Sequence, residues 1–174
     1  MQELILNEAH YSQVILEVIP SARKFVWIAT ADIKDLHVEG SGKNFVPFLS
    51  VMADLVSRGV DLRLIHAKEP GPRFREDFDR FPKLITSDRF ERILCPRMHM
   101  KAIVVDARIA YVGSANLTGA GIGAKSPKRR NFEAGILTDE TAVIEPLMSE
   151  LDELYLGNHC IDCGRRQYCP DPIA

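Results

Sequence analysis

The sequence predicts an α/β fold built as one compact domain. Segments with helical spacing of apolar residues alternate along the chain with short runs rich in β-branched residues, which gives a βαβ rhythm. The chain has 174 residues, of which 46% are hydrophobic and 26% charged, and no long polar tract interrupts it. Because a chain of this size and composition can bury a sizeable core, no second independent domain is expected.

A helix and a strand are predicted at the N-terminus. Residues 7–19 carry an apolar stripe at helical spacing, with Asn7 as the predicted cap and Pro20 as the stop. His10 is expected on the exposed side of this helix. The apolar run over 24–31 then predicts the first strand of the βαβ pattern.

A second helix and a second strand continue the pattern. Helical spacing runs over 45–58 and ends at Gly59, after which residues 60–66 have the composition of a strand. Residues 69–82 contain a Pro-Gly-Pro sequence and several charges, so they predict a loop with one short helix. The aromatic residues of that helix are expected to pack inward; they are Phe74, Phe78 and Phe81.

Two apolar runs joined by a tight connection predict a β-hairpin in the C-terminal half. The runs are 103–105 and 109–112, and residues 106–108 connect them. A short strand over 93–95 is expected before the hairpin. An amphipathic helix over 139–156 is expected after it.

Four polar residues flank the predicted hairpin in two pairs. His99 and Lys101 precede its first strand, and Ser114 and Asn116 follow its second strand. Residues two apart on a strand share a face, so the four side chains are expected to line one surface. Gly113, which has no Cβ, lies where the backbone must approach a ligand or make room for a neighbouring group.

These residue types suit chemistry on a phosphodiester. An imidazole can attack phosphorus, or give a proton to a leaving oxygen, near neutral pH. An ammonium group donates hydrogen bonds to the non-bridging oxygens, and a hydroxyl and an amide extend this stabilisation of the oxyanion. A His–Lys pair two residues apart also occurs by chance in many strands, so the interpretation depends on the longer pattern.

The longer pattern resembles the catalytic signature of the phospholipase D superfamily. Three blocks occur in the order of that family: H-M-K-A-I-V-V-D from His99, V-G-S-A-N-L-T from Val112, and N-F-E from Asn131. The resemblance implies a phospholipase D-like sandwich, in which helices flank both faces of a central mixed β-sheet. It also implies a covalent phosphohistidine intermediate, and it assigns Glu133 to orient His99.

The single copy of this signature predicts a homodimer. The chemistry needs one histidine as the nucleophile and another as the acid for the leaving oxygen and the base for water. An isologous contact would bring His99 of two identical chains to one phosphate. Lys101 and Asn116 of both chains would then stabilise the developing charge, so no catalytic divalent metal is expected.

The two carboxylates of the pattern are interpreted differently. Asp106 has the opposite parity to His99, and an aspartate at a strand end commonly braces a turn, so Asp106 is assigned mainly to structure. Its loss is expected to damage folding and activity together. Glu133 shares a face with Asn131. Apart from the family pattern, Glu133 would equally be an exposed strand carboxylate.

A basic cluster follows the second block. The glycine-rich stretch 119–124 leads into Lys125, Lys128, Arg129 and Arg130, which predicts a flexible loop that contacts the phosphates flanking the cleavage point. A solvated run of charges is the alternative. The formal net charge of −2 argues against a protein that coats nucleic acid non-specifically, but it says little about a single cleft.

The sequence therefore predicts an endonuclease-like phosphodiesterase, with DNA favoured over RNA as the substrate. A phospholipase or phosphatidyltransferase is the second hypothesis, and it would need an apolar groove or a membrane-binding face. A nucleic-acid-binding module that leaves cleavage to a partner is the third, because the basic loop alone would permit it. The sequence shows no leader, and apolar stretches such as 25–31 are too short to span a bilayer, so a cytoplasmic protein without a membrane partner is expected.

Four cysteines predict one metal centre. Cys160, Cys163 and Cys169 lie near the C-terminus, and Cys95 lies four residues before His99. The Cys-x2-Cys spacing lets two thiolates reach one centre, which is favoured over disulfides in a chain without a secretion signal. Tail thiols without any ligand are the alternative.

The cysteine spacing is compatible with two kinds of centre. It resembles the iron–sulfur staple of certain nucleases of another fold, whereas 160–165 resembles a zinc knuckle in which His159 could replace Cys95. A four-iron four-sulfur (4Fe-4S) cluster is favoured over zinc. Either centre would fix a cysteine-rich tail, residues 158–174, to a catalytic domain spanning residues 1–157.

Overall fold

The computed structural model describes residues 1–40 and 44–173, and a seven-stranded β-sheet forms its centre. The strands are β1 (Gln2–Leu6), β2 (Phe25–Thr30), β3 (His37–Glu39), β4 (Phe45–Pro47), β5 (Asp61–His66), β6 (Phe90–Leu94), β7 (Ala102–Val105), β8 (Ile109–Gly113) and β9 (Ala134–Thr138). The order in the large sheet is β1-β9-β8-β7-β2-β5-β6, and β3 pairs with β4 separately. β2, β5 and β6 run parallel, whereas the other neighbours are antiparallel, so the sheet is mixed.

In residues 1–40 and 44–173, four α-helices and several shorter helical turns surround the sheet. The α-helices are α1 (Phe48–Ser57), α2 (Pro72–Phe78), α3 (Pro82–Thr86) and α4 (Thr141–Tyr155). An N-terminal helix with π-type hydrogen bonding covers His10–Val18 and continues into a 3-10 turn at Ile19–Ser21. A second 3-10 turn, Arg166–Tyr168, lies in the tail. Within the described residues, no helix combines the length and the apolar character needed to cross a membrane.

Helices pack on both faces of the large sheet. On one face, Val14 of the N-terminal helix and Met52 of α1 lie in a cluster with Ile28 of β2. On the other face, Ile144 and Leu151 of α4 pack in a second cluster with strand residues that include Ala29, Val104 and Ala110. Burying one such aliphatic side chain stabilises the fold by about 1.5–3 kcal/mol. The predicted mixed sheet with helices on both faces is confirmed.

The helix expected over 45–58 begins three residues later than predicted. Residues 45–47 form β4, which pairs with β3 in the register His37 to Pro47. Pro47 holds an extended backbone, with ψ of 138°, so α1 begins only at Phe48. Gly59 follows α1 with a φ of 87°, a conformation that L-residues with side chains rarely adopt, as its position after the helix predicted.

The segment over 69–82 forms more helix than expected. α2 occupies its middle and α3 begins at its end, each starting at a proline. Proline is favoured at the first helical position because its missing N–H would be unpaired there in any case. Phe74 is buried, and Phe78 and Phe81 pack partly buried against the core, so the inward packing of the aromatic residues is confirmed.

Several strands of the large sheet begin or end along the same side of the sheet. Ala102 at the start of β7 pairs with Val112 near the end of β8, and Leu6 at the end of β1 pairs with Ala134 at the start of β9. β2 also ends here, because Ala29 pairs with Ala102. Antiparallel neighbours alternate in direction, so the segments entering β7 and β9 and those leaving β1, β2 and β8 meet here. We call this the polar edge.

Candidate active site

His99 and Lys101 lie in the segment that enters β7 at the polar edge. Lys101 Nζ donates a hydrogen bond to the main-chain oxygen of His99 over 2.8 Å and lies 3.3 Å from His99 Nδ1. Met98 is buried, and its N–H donates to the oxygen of Cys95 over 2.8 Å, which anchors the segment from behind. His99 itself is exposed. The structure therefore places an accessible imidazole beside an ammonium group.

Ser114 and Glu133 meet at the same edge. Ser114 Oγ donates a short hydrogen bond to Glu133 Oε2 and accepts one of 3.1 Å from the N–H of Ala134. Asn131 Nδ2 donates to the other carboxylate oxygen of Glu133 over 3.1 Å. Among the described residues, no hydrogen bond joins Glu133 to the His99 ring. Orientation of His99 by Glu133 therefore stays a prediction from the family resemblance.

Asn7 does not cap the helix; it forms paired hydrogen bonds with the backbone of Glu133. Its φ is 49°, and the helix begins only at His10. Asn7 N–H donates to the oxygen of Glu133 over 2.9 Å, and Glu133 N–H donates to Asn7 Oδ1 over 3.1 Å. The predicted capping role was wrong because this tertiary pairing uses the side chain instead. Asn7 is a positioning residue that the sequence did not reveal.

Asn116 lies in the loop that follows β8, with its carbonyl oxygen already occupied. Asn116 Oδ1 accepts hydrogen bonds from the N–H of Asp32 over 3.1 Å and from Thr30 Oγ1 over 3.3 Å. With the oxygen fixed in this way, the NH₂ group is the end of the amide left to donate to a ligand. Thr30 and Asp32 were not predicted from the sequence as site residues. Their position at the end of β2, which lies at the polar edge, is the signal that could have identified them.

Gly113 makes room for neighbouring protein groups. A Cβ at this position would collide with the Tyr111 hydroxyl and would lie 2.7 Å from the oxygen of Ala134. Tyr111 is buried, and burial raises its pKa to about 12. Its hydroxyl oxygen accepts a hydrogen bond of 3.3 Å from the N–H of Ala115, which shapes the turn between Ser114 and Asn116. Two roles were predicted for Gly113: close approach of the backbone to a ligand, or room for a neighbouring group. These contacts support the second role.

Two further histidines are fully buried. His10 was expected to be exposed, which was wrong: its Nδ1 lies 2.9 Å from the oxygen of Asn7, and its ring packs edge-on against Tyr111. His66, at the end of β5, has Nδ1 2.8 Å from the oxygen of Lys68. Burial lowers the pKa of His66 below its ordinary value. His10 and His66 therefore belong to the core.

Asp106 lies at the end of β7 opposite the polar edge. Its carboxylate accepts hydrogen bonds from the N–H groups of Arg23, Lys24 and Phe25 over 2.8–2.9 Å, where β2 begins. Burial raises the pKa of Asp106, but these hydrogen bonds outweigh that effect and hold the pKa below its ordinary value of 3.8. Asp106 also takes a φ of 53° in the hairpin turn. These contacts tie the hairpin to the neighbouring strand.

We expect Asp106→Ala to lower the free energy of unfolding by about 2 kcal/mol, since it removes charge-assisted hydrogen bonds from a half-buried site where solvent still screens part of their strength. A depressed carboxyl pKa stabilises the folded state fully above the unfolded pKa of 3.8, and this contribution is lost as the pH falls through the folded pKa. Urea denaturation near neutral pH should show the difference, and it should shrink in acid. Asp88→Ala, at an exposed position, is the control, and an equal effect of the two changes would contradict the assignment.

The basic segment, residues 119–131, forms a loop that folds back on the body of the protein, and its flexibility stays a prediction. Its N–H groups at Lys125 and Asn131 donate to the oxygens of Gly119 and Ala120, both over 3.0 Å, and Ile122 is fully buried. Burying this apolar side chain holds the segment in place.

The basic side chains differ in exposure. Arg130 forms a 3.0 Å ion pair with Glu8, and its side chain is only 20% exposed. Lys125, Lys128 and Arg129 are exposed. The three exposed cations therefore remain candidates for phosphate contacts, whereas Arg130 supports the local structure.

The four cysteines line one cavity beside His99. The cavity has a volume of about 280 Å³, and Cys95, Cys160, Cys163, Cys169, His159 and His99 all contribute to its wall. The thiols are free, and within residues 1–40 and 44–173 no three side chains of His, Cys, Asp or Glu are grouped closely enough to hold one metal ion. A hydrogen bond from the backbone of Arg165 and the nearby Arg97 lower the pKa of Cys163.

An exposed apolar strip borders the polar edge. Cross-strand pairing places Leu4 beside Ile136 and Ile136 beside Val112, so these three side chains share one face. Leu6 pairs with Ala134 on the same face, and Leu4, Leu6 and Val112 are all exposed. Phe132, in the segment leading into β9, is 95% exposed. Leu4, Leu6, Val112, Phe132 and Ile136 form what we call the apolar strip.

Comparison with known proteins places this geometry in a family. The family described as "Cardiolipin synthase, PLD-like domain" matches residues 15–155, so the tail that carries Cys160, Cys163 and Cys169 lies outside the match. Cardiolipin synthase A of Pseudomonas entomophila is 29% identical over 148 residues, and cardiolipin synthase 2 of Bacillus anthracis is 26% identical over 145 residues. These matches cover 79% and 78% of this chain. They cover only 27% and 24% of the two relatives, so the chain spans about a quarter of their length.

Solved structures show the same fold. NucT from Helicobacter pylori superposes with a TM-score of 0.65 at 18% identity, and Nuc from Salmonella typhimurium, a phospholipase D family member, with 0.62 at 14% identity. Each match covers 89% of this chain and 95% of the other. The matched family covers His99, Lys101, Ser114, Asn116 and Glu133. This chain therefore belongs to the PLD-like domain family of the phospholipase D superfamily.

Proposed function

We propose that this protein is a phosphodiesterase that cleaves nucleic acid, with DNA as the substrate, in an active site shared by two copies of the chain. The observation that carries this proposal is the exposed His99 imidazole beside Lys101 at the polar edge, in a chain of the phospholipase D superfamily. The free NH₂ of Asn116 lies in the loop leaving the same edge. An imidazole with two kinds of donor around it suits attack on a charged phosphodiester.

The reaction would proceed in two displacements. His99 of one subunit attacks phosphorus and forms a P–N bond while the bond to the leaving oxygen breaks, and His99 of the second subunit gives that oxygen a proton. The second imidazole, now neutral, takes a proton from water, which attacks phosphorus and releases the first His99. Lys101 and Asn116 donate to the non-bridging oxygens throughout. Because both subunits contribute these donors, cleavage is expected to continue in the presence of a chelator.

Ser114 acts in this proposal through Glu133. Its hydroxyl proton is engaged by the Glu133 carboxylate, and its oxygen already accepts from Ala134 N–H. Ser114 therefore holds the side chain of Glu133 in place, and Asn7 holds its backbone. The direct contacts to phosphate fall to Lys101 and Asn116.

The second copy of the chain would cover the apolar strip. The strip borders the polar edge, so a partner seated on it would also approach His99. A stable protein–protein interface buries about 800 Å² on each partner, commonly around an aromatic anchor, and Phe132 is the exposed aromatic side chain of the strip. The proposed dimer thus buries an apolar surface and completes the pair of histidines with one contact.

The exposed cations of the basic segment would hold the substrate on either side of the cleaved bond. We expect the double change Lys128→Ala and Arg129→Ala to weaken binding at every sequence and to reduce the slope of log Kd against log salt by about 2, because two phosphate contacts are lost. Fluorescence anisotropy with labelled DNA and the His99→Ala protein would measure the slope without cleavage. The control is Lys83→Ala with Arg89→Ala, two exposed positions on α3 and just before β6. An equal change in slope for the control would contradict the assignment.

Phospholipid transfer is the second candidate function. Two observations favour it: the curated relatives are named cardiolipin synthases, and the apolar strip is a surface that a membrane could cover. The exposed cations Lys125, Lys128 and Arg129 suit a polyanionic strand and an anionic lipid surface alike, so they do not separate the two candidates. The two candidates differ in substrate and share the chemistry at phosphorus.

A substrate comparison in chelator tests the proposal. The full chain is incubated with labelled single-stranded and double-stranded DNA, with RNA, and with vesicles containing phosphatidylglycerol. Cleavage of DNA with no reaction on vesicles is the expected result. Phospholipid turnover without DNA cleavage would establish the second candidate instead, and DNA binding with no cleavage of any substrate would make the protein a binding module.

A further inference from the structure

The cavity beside His99 brings together thiols that are far apart in the sequence. Cys95 follows β6, whereas the other three cysteines lie in the tail, yet all four are half-buried in the wall of one cavity. Cys169 Sγ lies 3.7 Å from the oxygen of Leu94, and Leu94 N–H donates to the Asp171 carboxylate over 3.4 Å. These contacts hold the tail against β6, so the convergence of the cysteines is a feature of the fold.

A cluster and a single ion differ in how closely their ligands must stand. A tetrahedral zinc site has Zn–S distances of about 2.3 Å, so its four sulfurs must all lie close together around one point. No three such side chains are grouped closely enough for one ion within the part of the chain that the structure describes. In a 4Fe-4S cubane each thiolate binds a different iron, so the ligands stand further apart around a larger centre. The cavity that the four cysteines line has a volume of about 280 Å³, and a cluster is the centre whose ligands can converge there without meeting at one point.

The walls of the cavity also match the charge of such a cluster. Four thiolates give a cubane a net negative charge, and the cavity wall contains three arginines, Arg97, Arg165 and Arg166, against the two carboxylates of Glu150 and Asp171. Met98, Leu154 and Ile173 supply apolar surface that shields the cluster from water. His159 lines the cavity too, but its Nε2 lies 3.5 Å from Glu150 Oε1, so its ring has another partner.

We propose that Cys95, Cys160, Cys163 and Cys169 bind an iron–sulfur cluster of the cubane type, and that this cluster fixes the segment that carries His99. On binding, each thiol loses its proton and forms one Sγ–Fe bond to the cluster. The iron and the sulfide are supplied together as an assembled cluster. Cys95 lies four residues before His99, and its oxygen accepts the N–H of Met98. The cluster would therefore hold the nucleophile's segment and the tail together.

The composition of the purified protein tests the assignment directly. We expect the full chain, purified without oxygen or reconstituted with ferric iron, sulfide and a thiol reductant, to contain about four irons and four sulfides per chain and to absorb broadly in the visible range. Native mass spectrometry distinguishes this added mass from that of zinc. One zinc per chain without iron would overturn the proposal, and so would a protein that takes up no iron after reconstitution.

Matched variants test the ligand set. Cys95→Ser is expected to lower the bound iron at least several-fold and to lower the thermal unfolding temperature, whereas His159→Ala is expected to keep the iron of the wild type. Loss of iron in His159→Ala with retention in Cys95→Ser would overturn the assignment. Iron content and absorption require no substrate, so the cluster is tested independently. Only its effect on His99 rests on the proposed function: with the cluster bound, His99→Ala should retain full iron content while losing cleavage.

Discussion

Replacement of His99 by alanine is expected to abolish phosphodiester cleavage, by a factor of more than about 10⁴, while fold and nucleic-acid affinity are retained. In a dimer this one change removes both the nucleophile and the general acid, so both displacements lose their reactive group. The side chain is exposed and lies beside Lys101, so little packing is lost. Initial rates on a labelled oligonucleotide in chelator measure the effect.

A second exposed histidine provides the matched control for this prediction. His37 lies on β3 with its side chain 43% exposed and its Nε2 3.9 Å from the Asp77 carboxylate. His37→Ala should keep wild-type cleavage. A His99→Ala protein that is folded and retains more than about a tenth of the wild-type rate would exclude His99 as the nucleophile.

The change Phe132→Asp is expected to dissociate the dimer and to remove nearly all cleavage, although no reactive group is altered. Phe132 is 95% exposed in the single chain, so a carboxylate there costs the monomer little. In the dimer the same carboxylate would have to lose its water inside an apolar contact, which costs several kcal/mol. Sedimentation velocity across a range of protein concentrations would measure the shift to monomer, alongside the cleavage rate.

An exposed apolar residue away from the strip serves as the control for Phe132. Ile85 lies on α3 and is 55% exposed, and Ile85→Asp is expected to leave both the dimer and the activity unchanged. A monomeric Phe132→Asp protein with full cleavage would contradict the shared active site. A protein that stays dimeric but no longer binds vesicles would assign the strip to a membrane instead.

The central hairpin was predictable because its determinants are local. The alternation of β-branched residues in 103–105 and 109–112 defines β7 and β8. Lys101 lies beside His99 as expected, but both residues precede β7, so the strand period from which this was predicted does not apply to them. The turn role of Asp106 also followed from its position at a strand end. Its partners at the start of β2 did not, because more than 80 residues separate them in the sequence.

The features that escaped prediction depend on contacts between distant segments. Asn7 has the residue type and position of a helix cap, and only the pairing of β1 with β9 brings it to Glu133, 126 residues away. Arg130 belongs to a basic cluster by sequence, but the fold pairs it with Glu8. Such contacts follow from which strands become neighbours, and local propensity does not encode that choice.

The cysteines show how far spacing alone can be interpreted. The Cys-x2-Cys pattern predicted a shared centre, and the position of Cys95 close to His99 in sequence was visible at once. The size and lining of the cavity required the fold, because they depend on how the tail lies against β6.

The most direct test of the shared site is a crystal structure of the full chain with vanadate, which adopts the five-coordinate geometry of phosphoryl transfer. We expect one vanadium atom between two subunits related by a twofold axis, bonded to the His99 ring of one subunit and hydrogen-bonded by the His99 ring of the other. Vanadate contacted by His99 of a single subunit, with the second imidazole on a separate surface, would contradict it.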